Sequence, residues 1–399
     1  MPLIQLWDSN PDVVLEYNIK QIVSAAGDGL LSDSSECSNE LKYYISSIPT
    51  EKLFEHVRFC LENSFDKSGF ALQDLINELG RRLDYEVESG LYHGHVNAIG
   101  FDGIWRAPDG HAIIVEVKTT DAYRINLDKL SNYRTRLMQD SKISNKSSIL
   151  IVVGRDDTGD LEAQIRGSRL AWDARIISIE SMMKLLELKI QSEEENTTEK
   201  IRSVLVPFEY TRLDNIIDVM FTAAQDVAAV EESAEVETSE RAGAQDHTPR
   251  NIQDSIREKA IDSLSRKESL TLIAHKRSQY WSRDKRTRVV CIVSKQYDTG
   301  YYWYACHPHQ RDFLSDSDRG FLLLGCVGGR YTYAVPKEKL IEILEFLNVT
   351  ENDTRKYWHI HLQPAPNDKY VMPLPKKGEK LDLSPFEILL LSDVADAEE

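Results

Sequence analysis

The chain has 399 residues, a formal net charge of −17, and 41% hydrophobic and 28% charged residues. This length predicts two or three domains, each able to bury a core, and the composition is typical of globular proteins. No apolar run approaches the ~18 residues of a membrane span, and the N-terminal residues lack the basic and apolar regions of a signal peptide. The five cysteines form no CxxC pair, which favours reduced thiols. We therefore expect a cytoplasmic protein with no membrane partner. The acidic charge counts mildly against constitutive nucleic-acid binding.

Four regions are predicted along the chain. Residues 1–65 have helical spacing without a recognisable motif, and residues 66–222 alternate helical and strand patterns. Residues 223–255 are polar and acidic with few large apolar groups. Such a segment cannot offset its ordering entropy by burial, so we expect an acidic flexible linker. Residues 256–399 are predicted to form a C-terminal α+β domain.

The second region is expected to be α/β, with a mixed sheet flanked by helices. Leucine and isoleucine at helical spacing predict an amphipathic helix over Phe70–Leu83. Apolar runs bounded by turn residues predict strands over 101–105, 112–117, 148–153 and 175–179. Helical patterns cover 128–137 and 161–172. Strands that alternate with helices imply this layered architecture.

The strand 112–118 carries the strongest functional signal. Side chains alternate along a strand, so Ile114, Glu116 and Lys118 should share one face. Charges on so apolar a strand are costly unless something pairs with them. The preceding strand can bring Asp102 beside Glu116, and two converging carboxylates repel each other unless a cation lies between them. Oxygen ligands suit Mg²⁺ or Mn²⁺. Lys118 would then stabilise the attacked phosphate or help to orient water.

This pattern of an Asp, about a dozen residues, and then Glu-x-Lys at the end of an apolar strand resembles the PD-(D/E)xK superfamily of restriction-endonuclease-like nucleases. The matching residues are Asp102-Gly103, Glu116, Val117 and Lys118, although no proline precedes Asp102. The resemblance spans about residues 71–179. It implies a restriction-endonuclease-like fold and a metal held by Asp102, Glu116 and the backbone carbonyl of Val117. A surface ion pair between Glu116 and Lys118 is the alternative.

Two further residues match features of that superfamily. An acidic residue on the preceding helix often completes its metal site, and Glu78 is the candidate here, with Asp74 and Gln73 as competitors. A solvated helix charge is the other interpretation of Glu78. A glutamine on the helix after the next strand recurs in one branch, and Gln164 occupies the equivalent place. An ordinary structural hydrogen bond is the alternative for Gln164.

Basic residues outside this pattern are candidates for phosphate contacts. The most basic stretch is His275–Arg288, at the end of a helix that we expect to run to about Trp281. Its candidate nucleic-acid-binding residues are Lys276, Arg277, Arg283, Lys285 and Arg286. Arg166 and Arg169 are further candidates on the helix of Gln164. A solvated position is the alternative for each of these residues.

Histidines and aromatic residues give weaker signals. His93 and His95 precede Asp102, where a solvent-exposed pair is preferred over a phosphate contact. His307-Pro-His309 and His359-Ile-His361 are each expected on one side of a strand, with Cys306 adjacent. A polar groove for a nucleotide is preferred over zinc binding there. The run Tyr301–Tyr304 could stack bases, although core packing is the preferred interpretation.

The sequence therefore predicts a Mg²⁺-dependent endonuclease with a C-terminal recognition module. DNA is preferred over RNA as the substrate, and defence against foreign DNA is an analogy based on the domain organisation. One alternative is a nuclease-fold binding or assembly subunit of a larger complex. Another is a nuclease gated by a nucleotide signal. A partner protein or a nucleotide is the expected ligand of the C-terminal domain. A homodimer is expected because cutting both strands of a duplex usually needs two active sites.

Overall fold

The computed structural model of the chain describes residues 3–93, 100–119, 125–154, 158–192, 197–207, 217, 249–297, 299–351, 356–366 and 369–390. The chain divides into two compact units, residues 1–231 and 232–399. Among the described helices, none combines the length and hydrophobicity that a membrane crossing requires.

Helices dominate the first part of the N-terminal unit. They are α1 (Leu3–Ser9), α2 (Pro11–Leu15), α3 (Ile19–Ala25), α4 (Glu36–Ile45), α5 (Thr50–Glu62) and α6 (Ser68–Arg82). Polar caps help to set where they begin, because a side-chain oxygen satisfies a free backbone N–H of the first turn. Asn18 accepts from the N–H of Gln21 at the start of α3, and Ser35 accepts from that of Ser38 at the start of α4.

A mixed sheet forms the centre of this unit. In the described residues its strands are β1 (Glu86–Ser89), β2 (Gly103–Arg106), β3 (Ala112–Lys118), β4 (Ser147–Val153) and β5 (Ala174–Ser178), in that spatial order. The pairings from β1 to β3 are antiparallel, and those from β3 to β5 are parallel. The later helices are α7 (Leu127–Gln139), α8 (Gly159–Arg166), α9 (Ile179–Gln191) and α10 (Thr197–Leu205). The predicted α/β architecture, a mixed sheet flanked by helices, is confirmed.

Apolar side chains cover both faces of this sheet. Ile113 and Val115 of β3 pack in one core with residues of α1 to α6 and α9. Ile114 points to the opposite face, where it shares a second core with Ile151 of β4 and Leu130 of α7. Burial of each such side chain contributes roughly 1.5–3 kcal/mol to the stability of the fold, compared with an exposed position. Because both faces are enclosed, β3 presents charged side chains only at its C-terminal end.

The C-terminal unit combines two sheets with helices. Its helices are α11 (Arg250–Glu268), α12 (Pro308–Ser315) and α13 (Lys337–Leu344) in the described residues. One sheet has the order β16-β11-β10-β8-β7-β6, and it consists of β6 (Leu272–Ala274), β7 (Gln279–Ser282), β8 (Thr287–Ser294), β10 (Arg319–Cys326), β11 (Tyr331–Pro336) and β16 (Glu387–Leu389). The other contains β9 (Tyr302–Cys306), β12 (Val349–Glu351), β13 (Lys356–Ala365), β14 (Lys369–Leu374) and β15 (Glu379–Asp382).

Several predicted boundaries are wrong. The helix expected to reach Trp281 ends at Glu268, where Ser269 adopts a left-handed backbone with φ 52°, and the basic stretch after it forms antiparallel strands. Residues 250–255, assigned to the linker, belong to α11, while most of the predicted linker lies outside the described residues. The helix predicted over 161–172 ends at Arg166.

Candidate active site

Side chains of α6 hold the backbone of Asp102, which lies just before β2. Asn77 Nδ2 donates to the Asp102 carbonyl at 2.8 Å, and Gln73 Nε2 donates to the same oxygen at 3.1 Å. Asn77 Oδ1 accepts the indole N–H of Trp105 at 2.9 Å. Gly103 permits this approach, since a Cβ there would lie 2.2 Å from Asn77 Oδ1. Sequence reasoning missed Asn77, although its spacing of one helical turn from Gln73 is a signal that would identify it.

The carboxylate of Asp102 faces the C-terminal end of β3. Its Oδ2 accepts the backbone N–H of Val117 at 2.6 Å. Burial first, and then the negative charge of Glu116, raise the pKa of Asp102 to about 7, while the Val117 N–H and the Lys118 charge act in the opposite direction. In the antiparallel register of β2 and β3, Gly103 pairs with Val115, so Asp102 lies opposite Glu116 at the next position. The two acids predicted from the sequence therefore lie side by side.

Lys118 lies against Glu116 on the same face of the strand. Its Nζ donates to Glu116 Oε1 at 2.6 Å, and the side chains of Glu116 and Lys118 are 15% and 32% exposed. The charge of Lys118 also lowers the pKa of Asp102. The arrangement is an ion pair with an open side rather than a sealed one, so a solvent-borne phosphate can approach the ammonium group.

Helix α7 brings a second cation to this end of the sheet. The ammonium group of Lys129 lies 5.3 Å from the ring centroid of Tyr133, one turn later on the same helix. The neighbouring Tyr133 is the largest cause of a raised pKa of Lys129, and the charges of Glu116 and Asp102 raise it further. Sequence reasoning missed both α7 residues because no pattern connects them to the Glu-x-Lys strand.

Glu78 does not join the two acids, which corrects its assignment as a metal ligand. Its carboxylate is buried and pairs with Arg82 at 3.2 Å and with Arg81 at 3.4 Å. Arg82 also donates to Thr50 and to the carbonyls of Ile45 and Ile48. Glu78 therefore neutralises a buried arginine that ties α6 to the N-terminal helices.

The competing residue Asp74 is also engaged elsewhere. It is 1% exposed, accepts a hydrogen bond from the hydroxyl of Tyr92, and has Lys42 Nζ at 3.8 Å. Burial is the largest cause that raises the pKa of Asp74 to about 6. The remaining competitor, Gln73, donates a hydrogen bond to the backbone carbonyl of Asp102. Its side chain is an amide, so it adds no carboxylate to the site.

Gln164 contacts the backbone that leads into α7. Its Oε1 accepts the N–H of Ile125 at 3.1 Å, and its Nε2 donates to the Ile125 carbonyl at 2.5 Å. This matches the structural alternative for Gln164, because both polar ends of the side chain are used by one residue. The neighbouring arginines are exposed. Arg166 pairs with Glu162 at 3.0 Å, and Arg169 pairs with Asp128 at 3.3 Å.

The basic stretch of the C-terminal unit does not form one continuous surface. Lys276 and Arg277 lie in the turn before β7, whereas Arg283, Lys285 and Arg286 lie in the turn after it. Strand β7, of 4 residues, separates these two turns by about 13 Å. Lys276 is 7% exposed, which is too buried for the predicted phosphate contact.

The second turn is the exposed part of this stretch. Lys285 Nζ lies 4.3 Å from the ring centroid of Trp281, and Arg286 pairs with Asp318 at 3.5 Å. Arg283 is also exposed. Only this turn retains the charged, solvent-facing character expected of a phosphate-contacting surface.

The predicted histidine sites are rearranged. His307 and His309 lie at the start of α12 and not on a strand, and Cys306 points into the core. His359 on β13 is hydrogen bonded at both ring nitrogens, with Trp303 Nε1 at 3.1 Å and Thr350 Oγ1 at 2.7 Å. These contacts leave it no free nitrogen for zinc.

The remaining histidine and aromatic assignments divide between surface and core. His93 is exposed and lies 3.8 Å from Asp33, and His95 is outside the described residues. In the aromatic run, Tyr302 and Tyr304 are core residues, as expected, while Tyr301 and Trp303 are half-buried on the other side of β9.

The acid pair offers few protein ligands to a divalent metal. Within the described ranges, no group of three or more His, Cys, Asp or Glu side chains is arranged to hold a metal ion. Asp102 and Glu116 provide two carboxylates, and their mutual repulsion is the charge that a divalent cation would neutralise. Mg²⁺ is commonly held by one or two carboxylates together with water. The donor set therefore fits Mg²⁺ or Mn²⁺, with water as the expected source of further ligands.

Comparisons with known proteins do not define the family of this chain. No protein-family model matches it, and no curated protein matches it. Among solved structures, the chain is similar to a complex of the restriction endonuclease PspGI with its substrate DNA. The identity is 14% and the TM-score is 0.23, with 57% of this chain and 94% of that chain covered. A similarity at this TM-score shows neither the fold nor the function of this chain.

Proposed function

We propose that this protein is a divalent-metal-dependent nuclease that hydrolyses phosphodiester bonds, with DNA as the expected substrate. The supporting observation is the meeting of Asp102, Glu116 and Lys118 at the C-terminal end of β3. All three are half-buried and none is sealed from solvent. A purely structural strand end would have no reason to place two carboxylates so close that one raises the pKa of the other.

Each residue has a defined part in this proposal. Asp102 and Glu116 would hold Mg²⁺ or Mn²⁺, which when bound would stabilise charge on the phosphate and lower the pKa of a water molecule. Lys118 places its ammonium beside Glu116, where it would interact with a substrate oxygen. Asn77 fixes the backbone of Asp102. The carbonyl of Val117 remains a proposed ligand, while its N–H orients Asp102.

Cleavage assays test this proposal directly. Purified protein with Mg²⁺ or Mn²⁺ should cleave a mixture of DNA and RNA substrates, and EDTA should stop the reaction. Lys118→Ala should abolish cleavage with little loss of stability. Lys146→Ala is a matched control, since Lys146 also pairs with an acid, Asp109, at 2.8 Å but lies at an exposed turn. Absence of cleavage by the wild type on every substrate, or equal losses in both lysine variants, would refute the proposal.

A second candidate function is supported by the short ion pair. Glu116 and Lys118 contact each other at 2.6 Å. In a nuclease fold that serves only as a binding or assembly subunit, these two side chains would remain paired with each other. The two candidates differ in one measurement. A binding subunit would bind nucleic acid or a partner protein without cleaving, and Lys118→Ala would leave that binding intact.

The proposal also assigns the C-terminal unit to recognition. Its ligand would be a feature of the DNA, a nucleotide signal or a partner protein. A nuclease joined to such a recognition module would fit a role against foreign DNA. Thermal shifts with a panel of nucleotides test the nucleotide signal, since a ligand that binds only the folded state raises apparent stability. A homodimer with two active sites would cut both strands, and sedimentation with and without DNA would detect it.

A further inference from the structure

Helix α7 presents two polar side chains beside the acid pair that the nuclease proposal does not use. Lys129 lies one turn before Tyr133, whose ring carries a hydroxyl group, and the Lys129 ammonium is 5.3 Å from the centroid of that ring. That hydroxyl also lies against Gly100, where an added Cβ would be 3.0 Å from it. Gly100 is two residues before Asp102, so the pair borders the segment that carries the first acid.

Lys129 differs from Lys118 in what it contacts. Lys118 is held by Glu116 at 2.6 Å. The side chain of Lys129 is exposed, and within the part of the chain that the structure describes, no carboxylate lies within ion-pair distance of it. It nevertheless lies within the electrostatic influence of both Asp102 and Glu116. Lys129 is thus a cation near the acid pair whose charge is available to a ligand.

The start of α7 is fixed by contacts on both sides. Gln164 makes two hydrogen bonds to the backbone of Ile125, at 3.1 Å and 2.5 Å. Asn126 caps the helix, and its Oδ1 accepts the backbone N–H of Lys129 at 2.9 Å. The Lys129 side chain therefore begins from a backbone position with little freedom. Fixing it in advance reduces the entropy that a ligand contact would cost.

We propose that Lys129 and Tyr133 bind a phosphate group of the nucleic-acid substrate beside the acid pair, an inference that rests on the proposed nuclease function. A phosphodiester that approaches Asp102 and Glu116 meets two negative charges, of which Lys118 balances only one. Lys129 supplies the second positive charge, and the Tyr133 hydroxyl offers a hydrogen bond to a phosphate oxygen. Gln164 is a positioning residue, because it acts on this pair through Ile125.

The test measures binding of a fluorescently labelled DNA duplex to the full chain in metal-free buffer over a range of salt concentrations. Each phosphate contact made by a lysine contributes about 0.9 to the slope of log affinity against log salt. Lys129→Gln should lower that slope by about 1 and weaken binding about tenfold. Tyr133→Phe should weaken binding without changing the slope, since it removes no charge. Arg136→Gln is the matched control, because it removes the same charge from the same helix about 10 Å further along.

The outcomes separate this inference from the proposed function. If Lys129→Gln leaves the slope unchanged, changes it only as much as Arg136→Gln does, or if the wild type binds no DNA, the phosphate site is wrong. If the wild type cleaves with Mg²⁺, Lys118→Ala does not cleave, and Lys129→Gln has the wild-type salt slope, then the nuclease function stands and the phosphate site is wrong. If Lys129→Gln has a reduced salt slope but the wild type never cleaves, the phosphate site stands and the nuclease function is refuted.

Discussion

Asn77, in the middle of α6, donates its side-chain amide at 2.8 Å to the backbone carbonyl of Asp102, 25 residues later in the chain. The backbone N–H of Gly90 donates to the same carbonyl at 2.9 Å. These hydrogen bonds fix the main chain of Asp102 and thereby the position of its side chain. The carboxylate oxygens remain for the N–H of Val117 and for a ligand. Asn77 is 1% exposed, so this contact is part of the core as well as of the site.

Asn77→Ala should impair both stability and cleavage. The indole N–H of Trp105 would lose its acceptor in a buried position, which costs roughly 1–3 kcal/mol in the free energy of unfolding. Asp102 would lose one support, and a displacement of the catalytic group by about 1 Å lowers the rate about 10²-fold. Urea unfolding and single-turnover cleavage measure the two effects. Asn132→Ala, at an exposed position on α7, is the control. A variant that unfolds at lower urea but cleaves normally would show that Asn77 only stabilises the core.

The charge of Glu116 should control the protonation of Asp102. After burial, that charge is the largest cause of the raised pKa of Asp102, which lies at about 7. Glu116→Gln removes the repulsion, so the pKa of Asp102 should fall. Carbon-detected NMR of the aspartate carboxyls over a pH titration measures it in the metal-free protein. Glu162→Gln on α8 should leave the Asp102 titration in place. An unchanged Asp102 pKa in Glu116→Gln would mean that the two acids do not lie as close as the structure places them.

Local pattern was enough to predict the strand that carries the site. Alternation along β3 puts Glu116 and Lys118 on one face, and this depends only on neighbouring residues. The support of Asp102 by Asn77 depends on how α6 crosses the sheet, which no local period specifies. The same limit explains the error at Glu78. Its position at the edge of an apolar stripe shows that the side chain lies near the core, but not that Arg82, four residues later, is its partner.

The basic stretch shows a different limit of sequence reasoning. Its density of lysine and arginine predicts one surface on a helix end, yet Gln279–Ser282 is a strand and Lys276 is buried. Aromatic and β-branched residues such as Tyr280 and Val289 favour strands, and they decide the secondary structure here. Charge composition predicts solvent exposure on average, and says little about which of two turns a lysine will occupy.

His56 should make the protein sensitive to acid. It is 1% exposed, hydrogen bonded to the hydroxyl of Tyr44 at 2.9 Å, and burial lowers its pKa to about 3, with a smaller effect from Lys52. In the unfolded chain the pKa of histidine is about 6.5. Because the folded pKa is the lower one, the contribution of His56 to stability is complete above pH ~6.5 and is lost as the pH falls toward 3, by about 1.4 kcal/mol per pH unit.

Two histidine variants isolate this effect. His56→Gln should flatten the fall in the free energy of unfolding between pH 6 and pH 4, whatever its effect at neutral pH. His93→Gln should not, because the side chain of His93 is 53% exposed. Urea unfolding at closely spaced pH values gives both profiles. If His56→Gln retains the wild-type slope, then His56 is not the group that takes up the proton.

Removing the charge of Glu78 distinguishes a buried ion pair from a metal ligand. In Glu78→Gln the guanidinium of Arg82, which is 7% exposed, would remain buried without its counter-charge, and breaking such a pair costs roughly 3–5 kcal/mol. The cleavage rate per folded molecule should stay near the wild-type value, since Glu78 is not at the acid pair. Glu62→Gln, exposed at the end of α5, is the control for removing one acid. The opposite result, in which Glu78→Gln stays stable but needs more Mg²⁺ for cleavage, would return Glu78 to the metal site, because a lost ligand weakens metal affinity without leaving a charge unpaired in the core.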